Sequence, residues 1–267
     1  MPDTRLVLGA FTGVLGVGLA LALPAPNAAI PGSGRPLAAT LVRTERSLDD
    51  AIDRWNTSTK PPRDVTLLAL YEQRIIRLLG ERPKLARAVV KLDPAAADDV
   101  AARVDLKALV AASPVPRASP HVGPAPPAAK LLAWYRKAER RFHVRWQLLA
   151  AVNFVESAFG KVRNTSTAGA QGPMQFEPAT WRVYGLGGNV HDPHDAILGA
   201  ANYLASNGGA TRERDALYHY NPSRLYVDAV ARYAKRIAHD RHAFFRYYSW
   251  QVYFRTAGGY RRVTGPG

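Results

Sequence analysis

The stretch that decides the fold is Arg145-Trp146-Gln147-Leu148-Leu149-Ala150-Ala151-Val152-Asn153-Phe154-Val155-Glu156-Ser157-Ala158-Phe159. Leu148, Leu149, Val152, Val155 and Phe159 recur at helical spacing, so the run reads as a helix with one apolar face over 145–159. Glu156 stands four residues beyond Val152 and eight beyond Leu148, on that same face. An acid there is withdrawn from water, and it lies near the helix C-terminus, where the dipole opposes negative charge. Both effects predict a raised carboxyl pKa, the property a general acid needs near neutral pH. The competing reading pairs Glu156 with one of the many arginines as a buried ion pair.

Downstream, Asn164 to Phe176 is a loop of small residues that ends in Gly172-Pro173-Met174-Gln175-Phe176, with Pro178 at a helix start. Glycine lets backbone approach a ligand closely, and a glutamine offers both donor and acceptor to sugar hydroxyls. Helices are expected over 128–142, 145–159, 178–184, 193–206 and 223–242, with no run of alternating strands. The segment 243–267 reads as a basic, aromatic tail. In it Gln251–Arg255 and Tyr260–Val263 flank Ala257-Gly258-Gly259 as a short hairpin. From residue 224 onward nine Lys/Arg face two Asp, interleaved with aromatics. The expectation is that most of these aromatics pack inward while the arginines face outward.

Upstream, residues 113–127 hold six prolines and form the best domain boundary, a semi-extended linker. Residues 37–112 read as a helical accessory region. Asp64 is its expected N-cap before Leu67, Leu68, Tyr71, Ile75, Leu78 and Leu79, and Asp93-Pro94 is the expected start of a later helix. Residues 24–36 form a Pro/Gly-rich spacer. Before it, Arg5 precedes an uncharged apolar run from Leu6 to Leu23, the pattern of a signal peptide or membrane anchor spanning 1–23. The expected place of work is therefore extracytoplasmic, secreted or anchored to the cytoplasmic membrane.

The formal charge of +15 favours polyanionic partners, among them nucleic acid, anionic lipid and anionic wall polymers. An export signal disfavours nucleic acid. The chain has no cysteine, which excludes disulfides, thiol nucleophiles and thiolate metal sites. His191 and His194 are three apart but bring no third ligand in sequence, so no metal is expected.

Glu156-Ser157, Gly172-Pro173-Met174-Gln175-Phe176 with Pro178-Ala179-Thr180-Trp181, Asp192-Pro193-His194-Asp195-Ala196-Ile197 with Ala200-Ala201-Asn202-Tyr203-Leu204, and Tyr218-His219-Tyr220-Asn221-Pro222 occur in that order. Together, over roughly 128–240, they resemble the lytic transglycosylase family, and the wording is nearest its membrane-bound branch. The Asp/Gly-rich segment that often precedes Asp-Pro in that branch is reduced here to Gly185-Leu186-Gly187-Gly188-Asn189. The resemblance implies a mainly α, lysozyme-like catalytic domain over 128–242. It also implies cleavage of the β-1,4 bond between N-acetylmuramic acid and N-acetylglucosamine in peptidoglycan, leaving a 1,6-anhydro end. Glu156 is then acid and base in turn, and no cofactor is needed. Ser157, Met174, Gln175, Phe176, Tyr220 and Asn221 map to substrate-facing positions. Tyr220 is the expected hydrogen-bond partner of Glu156 or of an N-acetyl group. Tyr203 and Tyr218 are expected in the core, and Glu177 and Asp195 at helix starts, away from the chemistry. A hydrolytic muramidase of the same fold, or a non-catalytic wall-binding protein, are the alternatives.

Overall fold

A computed structural model describes residues 22–115 and 119–266. The apolar run proposed as an export signal lies almost wholly outside them. Among the described residues no helix is long and apolar enough to cross a membrane.

The chain is mainly α-helical, as expected. Four helices come first: α1 (Gly34–Arg54), α2 (Arg63–Leu79), α3 (Pro83–Leu92) and α4 (Ala97–Ala112). Seven follow: α5 (Ala128–Phe142), α6 (Trp146–Ser157), α7 (Pro178–Tyr184), α8 (Pro193–Ser206), α9 (Glu213–Tyr220), α10 (Arg224–His239) and α11 (Ala243–Ser249). An antiparallel hairpin of β1 (Tyr253–Thr256) and β2 (Gly259–Arg262) closes the chain, with Tyr253 opposite Arg262. Three of the expected helices, 128–142, 178–184 and 193–206, have the observed bounds. The expected 145–159 helix stops at Ser157, because Ala158 and Phe159 turn left-handed with φ of 52° and 64°.

Two expected caps differ. Asp64 lies inside the first turn of α2, whose N-cap is Pro62, and its Oδ1 accepts the Val65 N–H. Asp93 precedes a single 3-10 turn over Pro94–Ala96 before α4 begins, and its side chain caps nothing. Residues 243–249, expected in a tail, form α11 instead. α9 was not foreseen either.

One continuous apolar core runs from Leu37 to Trp250. α6 is at its centre, with Leu148, Leu149 and Val152 fully buried. Phe154 stacks on Tyr247 at 5.2 Å and meets Tyr233 and Trp250 edge-on, joining α6, α10 and α11. α4 packs along α10, and three ion pairs stitch the two: Asp105–Arg232, Lys235–Asp98 at 2.9 Å and Arg236–Asp99 at 3.6 Å. The early segment before α1 lies on α2, where Tyr71 Oη donates to Ala29 O at 2.7 Å and Arg74 Nη1 to Ala28 O at 2.8 Å.

The arginines of the C-terminal segment do not all face outward. Arg246 is buried, and Arg255 donates through Nη1 to Val110 O and Ser113 O, carbonyls at the end of α4. The hairpin is held in turn by Arg77, whose guanidinium lies 3.9 Å from the centre of the Tyr253 ring and 5.0 Å from that of Tyr260.

Candidate active site

Glu156 is the penultimate residue of α6 and borders a cleft of about 430 Å3. The residue is half-buried and open to the cleft on one side. Burial pushes its carboxyl up to about 7 from an ordinary 4.5, against a smaller downward pull from a hydrogen bond. The bond comes from Tyr226, whose Oη donates to Glu156 Oε1 at 2.7 Å. Among the described residues no Lys or Arg pairs with Glu156, which removes the competing reading of a buried ion pair. Burial and the nearby Glu156 charge raise the Tyr226 and Tyr220 phenols well above 10, so both stay neutral donors.

The partner of Glu156 is therefore Tyr226 and not Tyr220. Tyr220 Oη donates to Met174 O at 2.6 Å, although its ring lies parallel to that of Tyr226 at 6.5 Å. Sequence offered no means of choosing among the tyrosines at 218, 220 and 226. Only the start of α10, folding across the mouth of α6, decides which one reaches the carboxyl.

The loop after α6 forms one wall. Gln171 and Phe176 exchange two backbone hydrogen bonds at 2.9 Å, closing a tight turn over 172–175. Gly172 sits at φ 73°, and a Cβ there would fall 1.9 Å from Val190 O, so only glycine fits. Ser157 is 1% exposed and does not face the cleft. Its Oγ donates to Pro173 O and accepts the Gly160 N–H at 2.8 Å, while Asn153 Nδ2 also reaches Pro173 O at 2.8 Å. Met174 is fully buried. Ser157 clamps the turn from beneath, and Met174, within the turn, is buried in the core; neither lines the cleft, a correction to the substrate-facing expectation.

Gln175, Phe176, Tyr220 and Asn221 do line the cleft. Gln175 is held at φ 49°, with its Nε2 donating to Gly172 O at 3.0 Å. Phe176 packs edge-on against Trp181, Tyr203 and Tyr220. The expectation of a buried Tyr218 fails, since it is 50% exposed. Tyr203, also expected in the core, borders the cleft and donates to His219 O at 2.8 Å. Ser166, Ala168, Ala170, Thr180, His219 and Pro222 complete the lining. Their small size or position at helix ends gave no signal in sequence.

Glu177 also borders the cleft, exposed at the N-cap of α7 with no capping bond from its side chain. Its helix-start position was foreseen; its place on the cleft was not. Asp195 is not among the lining residues. Its Oδ2 accepts the Asn189 N–H at 3.0 Å, which is the first cause of its lowered pKa. Asp192 is the N-cap of α8, accepting from His194 N at 2.9 Å and Asp195 N at 3.0 Å. Asp192, His194 and Asp195 bring ligand atoms within 4.8 Å of one another, a grouping not combined in the sequence reading. His194 Nε2 already lies 3.0 Å from Lys137 Nζ, so a cation stands beside the group.

Residues 134–242 match the family described as Transglycosylase SLT domain. The similarity to that family covers less than half of the chain. No curated protein and no solved structure matches the chain. The matched segment runs from within α5 through α10 and takes in every residue that lines the cleft.

Proposed function

We propose that the chain is a peptidoglycan lytic transglycosylase, cleaving the β-1,4 bond from N-acetylmuramic acid to N-acetylglucosamine and leaving a 1,6-anhydro muramoyl end. The observation that carries this is Glu156: a cleft-facing carboxyl with a pKa near 7 and a neutral tyrosine as its hydrogen-bond partner. At neutral pH a large share of it is protonated, so it can give its proton to the departing glycosidic oxygen. The resulting carboxylate takes the proton of the muramoyl C6 hydroxyl as that oxygen attacks C1 and closes the anhydro ring. No water enters the products and one carboxyl serves both steps. Tyr226 fixes the carboxyl and eases its ionised phase. Gln175, Asn221 and the Phe176–Tyr220 wall supply polar and apolar contacts suited to a sugar chain.

Glu177 supports a second reading. As another acid on the same cleft, it could activate water from the opposite face, giving hydrolysis by two carboxyl groups. Digestion of purified peptidoglycan with mass analysis separates the two: anhydro-muropeptides support the transglycosylase, and reducing ends overturn it in favour of hydrolysis. The apolar N-terminal run supports action outside the cytoplasm, after export or from a membrane anchor. Fractionation of cells expressing the full chain tests that; recovery in the cytosol alone would exclude it.

A further inference from the structure

A second cavity, of about 450 Å3, lies beneath the C-terminus of α11. Lys161 borders it and donates through Nζ to the carbonyls of Tyr248 and Trp250, the latter at 2.7 Å. These are free carbonyls at the end of a helix, so one role of Lys161 is to cap α11. An ammonium has three N–H groups, however, and only two find acceptors among the described residues. No acid among the described residues pairs with it, and burial pushes it down to about 7. Lys60, on the loop between α1 and α2, borders the same cavity from solvent.

No acidic residue lines this cavity among the described residues. Its walls include Pro61, Pro124, Ala125 and Pro127, with Gln251 and Thr264 as polar points. An exposed ammonium, a buried amine that a bound anion would hold protonated, apolar walls and this volume fit a small apolar ligand that ends in an anion. The cavity is also tied to the active site. Lys161 begins the loop whose Ser166, Ala168 and Ala170 line the Glu156 cleft. Gly123, on the other wall, donates to Lys161 O at 2.9 Å, and Arg163 N donates to His121 O at 2.9 Å. One loop thus borders a glycan-sized cleft and a cationic cavity.

We infer that the cavity between Lys60 and Lys161 receives the carboxylate end of a peptidoglycan stem peptide, with its small terminal residues against the proline wall. The inference rests on the peptidoglycan reading for the source of the peptide, but not on the cleavage step. The test is calorimetric titration with N-acetyl-D-Ala-D-Ala and with its C-terminal amide, neither of which carries a glycosidic bond. The acid should bind at least about tenfold more tightly than the amide, the usual worth of a charge-assisted hydrogen bond. Lys60→Glu should erase most of that preference while leaving cleavage of peptide-free glycan unchanged. Lys161→Gln should do the same, but it removes an α11 cap; if it does not fold, Lys60→Glu decides. Equal binding of acid and amide, or a preference that survives Lys60→Glu, overturns the inference and leaves Lys161 as a cap alone. Anhydro products without peptide binding would remove only this site. Peptide binding without any cleavage would instead count against the proposed reaction.

Discussion

Burial pushes the carboxyls of both Glu156 and Glu72 up to about 7. Their surroundings differ. Glu72 belongs to a cluster joining α1 and α2 to α11, where Arg246 is the hub. Its guanidinium contacts Asp49 at 2.6 Å, Glu72 at 3.6 Å and Glu45 at 3.7 Å, and Trp250 Nε1 donates to Glu72 Oε2 at 2.8 Å. Glu45 rises to about 8, first through burial and then through the Glu72 charge, while the acids around Arg246 raise its guanidinium further. Glu156 has no such cation, opens on a cleft, and touches one phenol. A raised carboxyl pKa therefore marks desolvation, and desolvation has two uses here. With an arginine at its centre it locks two halves of a molecule; with a neutral donor and an open side it holds a transferable proton.

This contrast can be broken at either end. Glu156→Gln should lower the rate of glycan cleavage by up to about 10⁴-fold, the usual reach of general acid–base catalysis, while near-ultraviolet circular dichroism stays native. Retention of most activity would return Glu156 to the class of structural acids. Arg246→Ala should instead cost about 3–5 kcal/mol in denaturant unfolding, because it strands Glu45, Glu72 and Asp49 without their cation. A loss under about 1 kcal/mol would mean the cluster is solvated and the comparison unfounded.

The smaller effects depend on sign. The folded-state pKa of Glu156 lies above its ordinary value, so its bound proton favours the folded state. That contribution is complete below about 4.5 and is lost as pH rises through about 7. Gln at this position cannot lose it. Glu156→Gln should therefore gain stability relative to the natural chain between pH 4 and pH 8, by up to about 3 kcal/mol at about 1.4 kcal/mol per pH unit. Parallel unfolding curves at the two pH values would refute the burial argument. Tyr226→Phe removes the donor that holds the carboxyl pKa down. The alkaline limb of the pH–rate profile should then move to higher pH, by about one pH unit or less. An unmoved limb would show that Tyr226 only packs.

Much of this was legible in sequence, for reasons that can be located. α5, α7 and α8 have apolar periods long enough, or proline starts sharp enough, to fix their bounds. Glu156 was visible because the period placing Leu148 and Val152 in the core carries the acid with them. α9 was not, since Glu213–Tyr220 is eight residues long with Ala216 and Leu217 its only buried positions. α11 was missed because its aromatics show no helical stripe: both Phe244 and Tyr247 are buried, but so are Arg246 and Ser249. The Arg246 cluster joins residues nearly 200 positions apart, such as Asp49 at a separation of 197, and no local pattern announces such a pairing. Ser157 and Met174 were expected to face substrate, but both are buried at the turn, and sequence spacing cannot tell support from contact.

The seam between α4 and α10 gives the first hundred residues a stake in the chemistry. α10 carries Tyr226 in its first turn, and its flank is covered by α4 through Asp98, Asp99 and Asp105. The family match begins at residue 134, whereas the continuous core that carries Tyr226 reaches back about a hundred residues, to Leu37 in α1. A substitution in α4 that loosens the seam therefore reaches the Tyr226–Glu156 hydrogen bond through α10.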